Sequence, residues 1–357
     1  MSRYFTAELA ALEPYTPGEQ LAVADLVKLN ANENPYPPAP GVAAAVGDAV
    51  AGLRLYSDLR QTKLTEAIAR RCGVPASWVL CGNGSDENLL LAIRAFCDGG
   101  TPLAFADITY SFYPVLCDLL GVPKRVVPLR GDFTLDPADY RGLGAAIVIA
   151  NPNAPTSLLA PTAAVEEILQ ANPDRVVIVD EAYVDFAGPG ASCLPLVKDH
   201  ENLLVVRTFS KSRSMAGARL GFALGSEALI ADLETLRYST NPYNVNRMTL
   251  AAGEAALAQD DYYMENCRRI AAIRDKVAGQ LEAMGWKVLP SKANFLFAAA
   301  PGMGGGAMYQ ALRQRGVLVR YFDAPRTRDY IRVSVGDEAQ MERFMQTIKE
   351  IMKEAAQ

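Results

Sequence analysis

Leu203-Leu-Val-Val-Arg-Thr-Phe-Ser-Lys-Ser-Arg-Ser-Met-Ala-Gly-Ala-Arg-Leu-Gly-Phe222 is the stretch on which the reading of the chain turns. Its first four residues, Leu203 to Val206, have the pattern of a strand buried on both faces. At the polar edge of that run stands Lys211, between two serines. Arg219 follows within a run of small residues, Ala216-Gly217-Ala218, that lets backbone pack closely. Alone, a Ser-Lys-Ser is most often a solvated loop. Two upstream segments change that. Ala145-Ala-Ile-Val-Ile-Ala150 is a second apolar run, ending in Asn151-Pro-Asn-Ala-Pro-Thr156, and Val176-Val-Ile-Val-Asp180 is a third, ending in Asp180-Glu-Ala-Tyr183. Between them, Thr162 to Gln170 carries Val165, Ile168 and Leu169 at helical spacing. Strand, helix, strand predicts parallel crossovers, and in such sheets ligands sit beyond the carboxyl ends of the strands. One sheet edge therefore gathers an acid, a phenol, an amine and a guanidinium.

That set suits pyridoxal phosphate. A lysine amine condenses with the cofactor's aldehyde, and the ring then acts as an electron sink. Lys211 supplies the amine. Asp180, at the end of a buried strand, suits the ring nitrogen, which needs an acid to stay protonated. Tyr183 suits the phenolate oxygen, and Arg219 with Ser210 suits the phosphate. A further stretch, Val79-Leu-Cys-Gly-Asn-Gly-Ser-Asp-Glu-Asn88, runs from a short strand through glycines into an apolar helix, Leu89 to Phe96. Helix N-termini offer unpaired N–H groups to a phosphate, so the amides of Gly84 and Ser85 join Ser210 and Arg219 around it. Asp86 and Glu87 suit capping of that helix, and Asp86 is counted with the cofactor's neighbours. No third glycine stands in register for a dinucleotide fingerprint.

The 357 residues suffice for a large core and a division into one large and one smaller domain. Half of them are hydrophobic and 21% are charged, as in ordinary globular proteins. A formal net charge of −5 argues against a nucleic-acid partner. No apolar run approaches a membrane span, and the first twenty residues have no signal-peptide core, so a cytoplasmic protein is expected. The six cysteines have no C-x-x-C pairing and read as free thiols. The one histidine, His200, reads as an exposed loop residue, which sets aside triads and histidine-rich metal sites; no metal is expected.

The expected fold is α/β. An N-terminal arm spans residues 1–40, a large domain with a mostly parallel sheet between helices spans 41–245, and a smaller α+β domain spans 246–357. In the last, helix is expected over Met248 to Met284, around Ala307 to Arg315 and around Gln340 to Lys353. Strands are expected at Trp286 to Leu289, Phe295 to Ala298, Val317 to Arg320 and Tyr330 to Val335.

Leu29-Asn-Ala-Asn-Glu-Asn-Pro-Tyr36, Asn151-Pro-Asn-Ala-Pro-Thr156, Asp180-Glu-Ala-Tyr183, Arg207-Thr-Phe-Ser-Lys211 with Arg219, Pro290-Ser-Lys-Ala-Asn-Phe295 and Ile331-Arg-Val-Ser-Val-Gly336 together resemble the fold-type I aminotransferases, and within them the histidinol-phosphate aminotransferases. The resemblance covers almost the whole chain. It implies transamination between histidinol phosphate and 2-oxoglutarate, giving imidazole-acetol phosphate and glutamate, by a homodimer. It gives Tyr110 the role of stacking on the pyridine ring and brings Tyr15 and Asn32 to the substrate. It makes Arg320 and Arg332 the substrate's anion-binding arginines, and it sends Tyr56 to the phosphate of a neighbouring subunit. Two positions depart from the family. Its asparagine before the Pro-Thr pair, which bonds the phenolate oxygen, is Ala154 here, so Asn153 is expected to take that contact. The usual glycine after the threonine is Ser157. An aromatic aminotransferase and a phosphothreonine decarboxylase-like lyase remain as alternatives on the same fold. A catalytically silent cofactor-binding protein is disfavoured by Lys211, Asp180, Tyr183 and Arg219 standing together.

Overall fold

The computed structural model of the chain describes residues 2–6, 9–20 and 25–355. Of the expected arm, residues 1, 7, 8 and 21–24 therefore lie outside the described residues. The arm contains one two-residue strand, β1 (Val27–Lys28). Helices α1 (Pro40–Val50) and α2 (Thr62–Cys72) follow; α1 starts on a proline that suits a first helical turn, and α2 stops at Gly73 with φ +66°.

Seven strands then build the main sheet: β2 (Val79–Gly82), β3 (Leu103–Ala106), β4 (Lys124–Val127), β5 (Ala146–Ala150), β6 (Val177–Asp180), β7 (Leu203–Thr208) and β8 (Gly221–Gly225). Their order is β2-β8-β7-β6-β5-β3-β4. β4, β3, β5, β6 and β7 run parallel, and β8 alone lies antiparallel to its neighbours β7 and β2. Strands β2, β3, β5 and β6 are buried along their whole length, as continuous apolar runs require when helices cover both faces. One layer of core joins Val42, Leu64, Val165 and Leu250, and the other joins Leu89, Leu116, Ile178 and Leu233. The covering helices are α3 (Ser85–Phe96), α4 (Phe112–Leu120), α5 (Thr162–Ala171), α6 (Glu227–Thr240) and α7 (Arg247–Leu257). Ser226 and Asn246 cap the last two by accepting from Leu229 N and Thr249 N.

The long helix α8 (Asp260–Ala283) leads into an antiparallel sheet of order β12-β13-β10-β9, formed by β9 (Lys287–Val288), β10 (Phe295–Ala299), β12 (Arg320–Tyr321) and β13 (Tyr330–Ser334). β11 (Val317–Leu318) pairs in parallel with β1 as a separate two-stranded sheet, and the Ser334 amide at the end of β13 donates to Leu29 O (2.9 Å), which ties the arm to the smaller sheet. Helices α9 (Gly305–Gln314) and α10 (Glu338–Ala355) complete the chain. The expected strand over Val317 to Arg320 is thus two short strands with different partners. The two cores also part later than residue 245: α7 packs with α1 and α2 in the main core, which reaches Tyr263, and the second core takes Cys267, Ile270 and Leu281 from the same helix α8. All six cysteines are free thiols. His200 is half-buried, its Nε2 3.4 Å from Glu166 Oε1, and not the exposed loop residue its sequence context suggests. No helix among the described residues is long and apolar enough to cross a membrane.

Candidate active site

The carboxyl ends of β2, β3, β5, β6 and β7 open into a cleft of about 260 Å³, closed on its far side by the arm and the small sheet. Asp180 is the last residue of β6, and its carboxylate lies buried at the bottom. Its Oδ2 accepts from Tyr113 Oη (2.9 Å) and its Oδ1 from the Ala182 amide (3.2 Å). Burial pushes the carboxyl up to about 6, and no lysine or arginine among the described residues pairs with it. A buried carboxylate in this state is matched by a ligand that brings a cationic N–H.

Lys211 follows β7 by three residues. Its Nζ donates to Ala31 O (3.1 Å), and Asn34 Nδ2 donates to the Lys211 carbonyl (2.9 Å), so the arm's Asn-rich turn fixes the lysine's backbone. Burial, with Arg332 nearby, pulls the amine down to about 8, so it gives up its proton far more readily than an exposed lysine. Tyr183 Oη accepts from Asn32 Nδ2 (3.1 Å), and the tyrosine ring meets Phe295 edge-on at 5.0 Å. Asn32 itself sits at φ +54°. Its amide N–H donates to Ser334 Oγ, whose O–H returns to Asn32 Oδ1, and Asn294 Nδ2 donates to its carbonyl. A non-glycine residue held in the left-handed region by so many bonds is over-determined by its surroundings.

The phosphate-sized corner is made by the start of α3, Ser210 and Arg219. Gly221 at the start of β8 runs against α3 so closely that a Cβ there would lie 2.3 Å from Ser85 N. Ser210 Oγ accepts from Thr208 Oγ1 (3.0 Å). Arg219 Nη2 bonds Asp86 Oδ2 (2.8 Å), and Tyr110 Oη donates to Asp86 Oδ1 (3.2 Å). The expected Gly84 amide is already given to Gly82 O (2.9 Å), which leaves the first-turn amides of α3, beginning with Ser85, as donors at the helix start.

Asn153 corrects a second expectation. It does not turn into the cleft: its Nδ2 donates to Ile108 O (2.9 Å) and Thr156 Oγ1 (2.8 Å), and its Oδ1 accepts from Thr109 Oγ1 (2.8 Å). The turn is closed by its own backbone, Asn153 N to Leu158 O and Ser157 N to Asn153 O, so the amide lines a separate small cavity beside Phe133 and Tyr140. Ala154, not Asn153, faces the cleft. Tyr56 is also outside the cleft of its own chain. It is 77% exposed and stacks on Tyr243 with centroids 4.5 Å apart.

The opposite wall carries the arginines. Arg320 and Arg332 are direct cross-strand partners in the β12–β13 ladder, where like charges repel. Both guanidinium groups lie against the Phe322 ring, at 5.4 and 5.5 Å. Neither meets a carboxylate among the described residues: Arg332 Nη2 donates to Asn30 O (2.9 Å), and Arg320 donates to Pro17 O and Thr16 O (3.0 Å each). Arg332 Nε is buried with no partner. Tyr15 closes the mouth, edge-on to Tyr110 (6.1 Å) and Phe112 (5.6 Å). Sequence reasoning missed Tyr113 and Phe322. Tyr113 stands three residues after Tyr110, in the first turn of α4, and that proximity is a usable signal; Phe322, two residues past a strand arginine, carries none.

The fold and this lysine-centred edge define a protein class. Residues 24–348 match the family described as aminotransferase class I and II, and the chain belongs to it. Within that family it is 48% identical over 352 residues to histidinol-phosphate aminotransferase 1 of Bradyrhizobium diazoefficiens, covering 99% of this chain and 100% of that one. It is 44% identical to histidinol-phosphate aminotransferase of Acinetobacter baumannii, covering 98% and 97%. The crystal structure of histidinol-phosphate aminotransferase from Sinorhizobium meliloti in complex with pyridoxal-5'-phosphate superposes with a TM-score of 0.88 at 26% identity, covering 99% of both chains.

Proposed function

We propose that the chain is a pyridoxal-phosphate-dependent transaminase acting between histidinol phosphate and 2-oxoglutarate, with imidazole-acetol phosphate and glutamate as products, in histidine biosynthesis. The observation that carries this reading is the pair Arg320–Arg332: two guanidinium groups opposed across a ladder, on one cleft wall, without a carboxylate. Such a pair is tolerable where an anion supplies the missing charge. The similarity to the curated histidinol-phosphate aminotransferases points the same way.

The other wall fits pyridoxal phosphate. Asp180, buried and without a cation, would hold the ring nitrogen's proton, Tyr183 the phenolate oxygen, and Ser85, Ser210 and Arg219 the phosphate, with Lys211 at the aldehyde carbon. When bound, the cofactor supplies an electron sink for the carbon that gives up its proton. The chain supplies the rest. Lys211 Nζ, neutral above about 8, takes the proton from the substrate carbon and returns it to the neighbouring position. Tyr113 keeps Asp180 aimed by its 2.9 Å bond. Asn32 orients the Tyr183 hydroxyl in the place where Ala154 offers nothing polar. Tyr110 and Tyr15 cover the cleft against water, and Arg332 holds the substrate phosphate, or glutamate's carboxylate in the other half-reaction.

The comparison of histidinol phosphate with histidinol and phenylalanine tests this reading. Each charge-assisted bond to the phosphate is worth about 1.5–3 kcal/mol, so kcat/KM for histidinol should be lower by about 10² or more. Similar values for histidinol and its phosphate would contradict it, and a higher value for phenylalanine would favour the aromatic aminotransferase.

The working unit is, in this reading, a cytoplasmic homodimer. Tyr56 with Tyr243, beside the exposed Leu53 and Leu55, forms an apolar surface suited to a second copy, from which Tyr56 reaches the other copy's phosphate corner. Mixing Tyr56→Phe chains with Lys211→Ala chains tests it: a hybrid should hold one site with neither lesion and one with both. Activity that adds as for independent monomers would contradict shared sites. Six free thiols suit a reducing compartment.

A further inference from the structure

We infer that Glu19 and Arg313 are positioning residues: their ion pair straps the arm across the cleft mouth and so holds Tyr15 against the substrate. Residues 12–20 form no helix or strand, and Pro14 and Pro17 remove two backbone donors, so among these residues no local structure fixes the arm's course. Three external anchors do. Tyr15 rests on Tyr110 and Phe112 of the large domain. Arg320 takes the carbonyls of Thr16 and Pro17. Glu19 is held by the small domain: its Oε1 accepts from Arg313 Nη2 (2.5 Å), and its Oε2 accepts from Arg313 Nε (2.9 Å) and Tyr309 Oη (3.0 Å).

The carboxylate–guanidinium contact is a two-pronged fork, the geometry in which an arginine fixes direction as well as distance. Its base is firm, because Arg313 and Tyr309 sit on α9, whose Met308 and Leu312 are buried in the small-domain core. Asn30 Nδ2 adds a bond to the Glu19 carbonyl (2.8 Å), and Asn30 is the residue whose carbonyl receives Arg332. The strap thus fixes both arginines of the anion wall through backbone carbonyls: Arg320 through Thr16 and Pro17, Arg332 through Asn30. Lys211 and Asp180 touch none of these groups. Loss of the strap should therefore weaken capture of the amine and leave the proton-transfer step alone.

Glu19→Gln and Arg313→Met remove the charge pair with little change of shape, and Glu19→Arg with Arg313→Glu exchanges it. Two readouts apply to the cofactor-loaded enzyme. One is chymotryptic cleavage after Tyr15, mapped by mass. The other is the split between KM and kcat for histidinol phosphate, and only this second readout rests on the function proposed above. Each single variant should be cut after Tyr15 several times faster than wild type. Its KM should rise about fivefold with kcat within about twofold, the range for a half-exposed fork, and the exchanged pair should recover part of both. Unchanged cleavage and KM in both neutral variants would overturn the strap, as would a fall in kcat with KM constant. If the wild-type enzyme does not turn over histidinol phosphate, the proposed function fails and the cleavage rates still decide the strap.

Discussion

The two walls of the cleft are built in opposite ways. On the wall at the main sheet's edge, four of the candidate side chains stand on or just after a strand end: Asp180 ends β6, Tyr183 lies three residues on, and Ser210 and Lys211 follow β7. On the facing wall, nothing is local. Asn30 holds Arg332 across 302 positions of sequence, Asn32 meets Ser334 across 302, and Arg320 reaches back 303 to Pro17. A parallel sheet gathers its strand ends at one edge by topology, so the first wall's side chains are brought together by the sheet, and the arm adds only the bonds from Asn34 to the Lys211 carbonyl, from Lys211 to Ala31 O and from Asn32 to Tyr183. The second depends on the arm, the small sheet and α9 meeting in register. The first wall suits chemistry that must not move, and the second suits capture of a substrate.

Lesions on the first wall should be the more severe. Lys211→Ala should lower multiple-turnover transamination roughly 10⁴-fold, because in the proposed function the amine is both the attachment point and the proton carrier. Borohydride reduction of the wild-type enzyme should leave the pyridoxyl label on Lys211, and peptide mapping checks it; label on another lysine would break the contrast between the walls. A smaller effect is expected of Tyr113→Phe, which takes one hydrogen bond from Asp180. That bond favours the carboxylate, so its loss should raise the Asp180 pKa above its present value of about 6. Cofactor affinity, which needs the carboxylate charged, should then begin to fall at a higher pH than in wild type as the solution is acidified. Spectral titration of cofactor binding against pH reads the shift, and coincident profiles would place Tyr113 outside the site's electrostatics.

The contrast also explains what the sequence made legible. Strand runs followed by polar turns foretell the first wall, and Lys211, Asp180, Tyr183, Ser210 and Arg219 do line one cleft. Errors arose where a local rule met a tertiary one. The Gly84 amide suits a phosphate by position, and the tight Gly82–Gly84 bond consumes it. Asn153 is one residue from Ala154, and in a tight turn one residue is enough to face the other way. The split of Val317 to Arg320 between two partners is invisible to periodicity, because β11 and β12 have the same composition as one continuous strand. The helical stretch from Met248 is two helices, α7 and α8, broken at Ala258 and Gln259, and the division of α8 between two cores is a matter of packing.

The smallest effect concerns Ser157, where the sequence departs from the family's glycine. Its φ is +65°, a conformation that a side chain disfavours by about 1–2 kcal/mol, and its hydroxyl finds only the neighbouring Thr156 carbonyl. Ser157→Gly should therefore raise stability by about 0.5–1 kcal/mol, after the added freedom of glycine in the unfolded chain, and leave kcat unchanged. Denaturant unfolding of the cofactor-loaded enzyme measures it; a loss of stability would mean that the Ser157 hydroxyl holds the turn.

The division of labour between the walls is tested most directly by a cycle of two enzymes and two amines. The amine half-reaction of wild type and of Arg332→Ala is followed in single turnover with histidinol phosphate and with histidinol. If Arg332 holds the phosphate, its loss should lower kcat/KM for histidinol phosphate by about 10² or more and change that for histidinol by less than about threefold. An equal fall for both amines would show that Arg332 acts on the chemistry or the fold rather than on the phosphate, and would contradict the account.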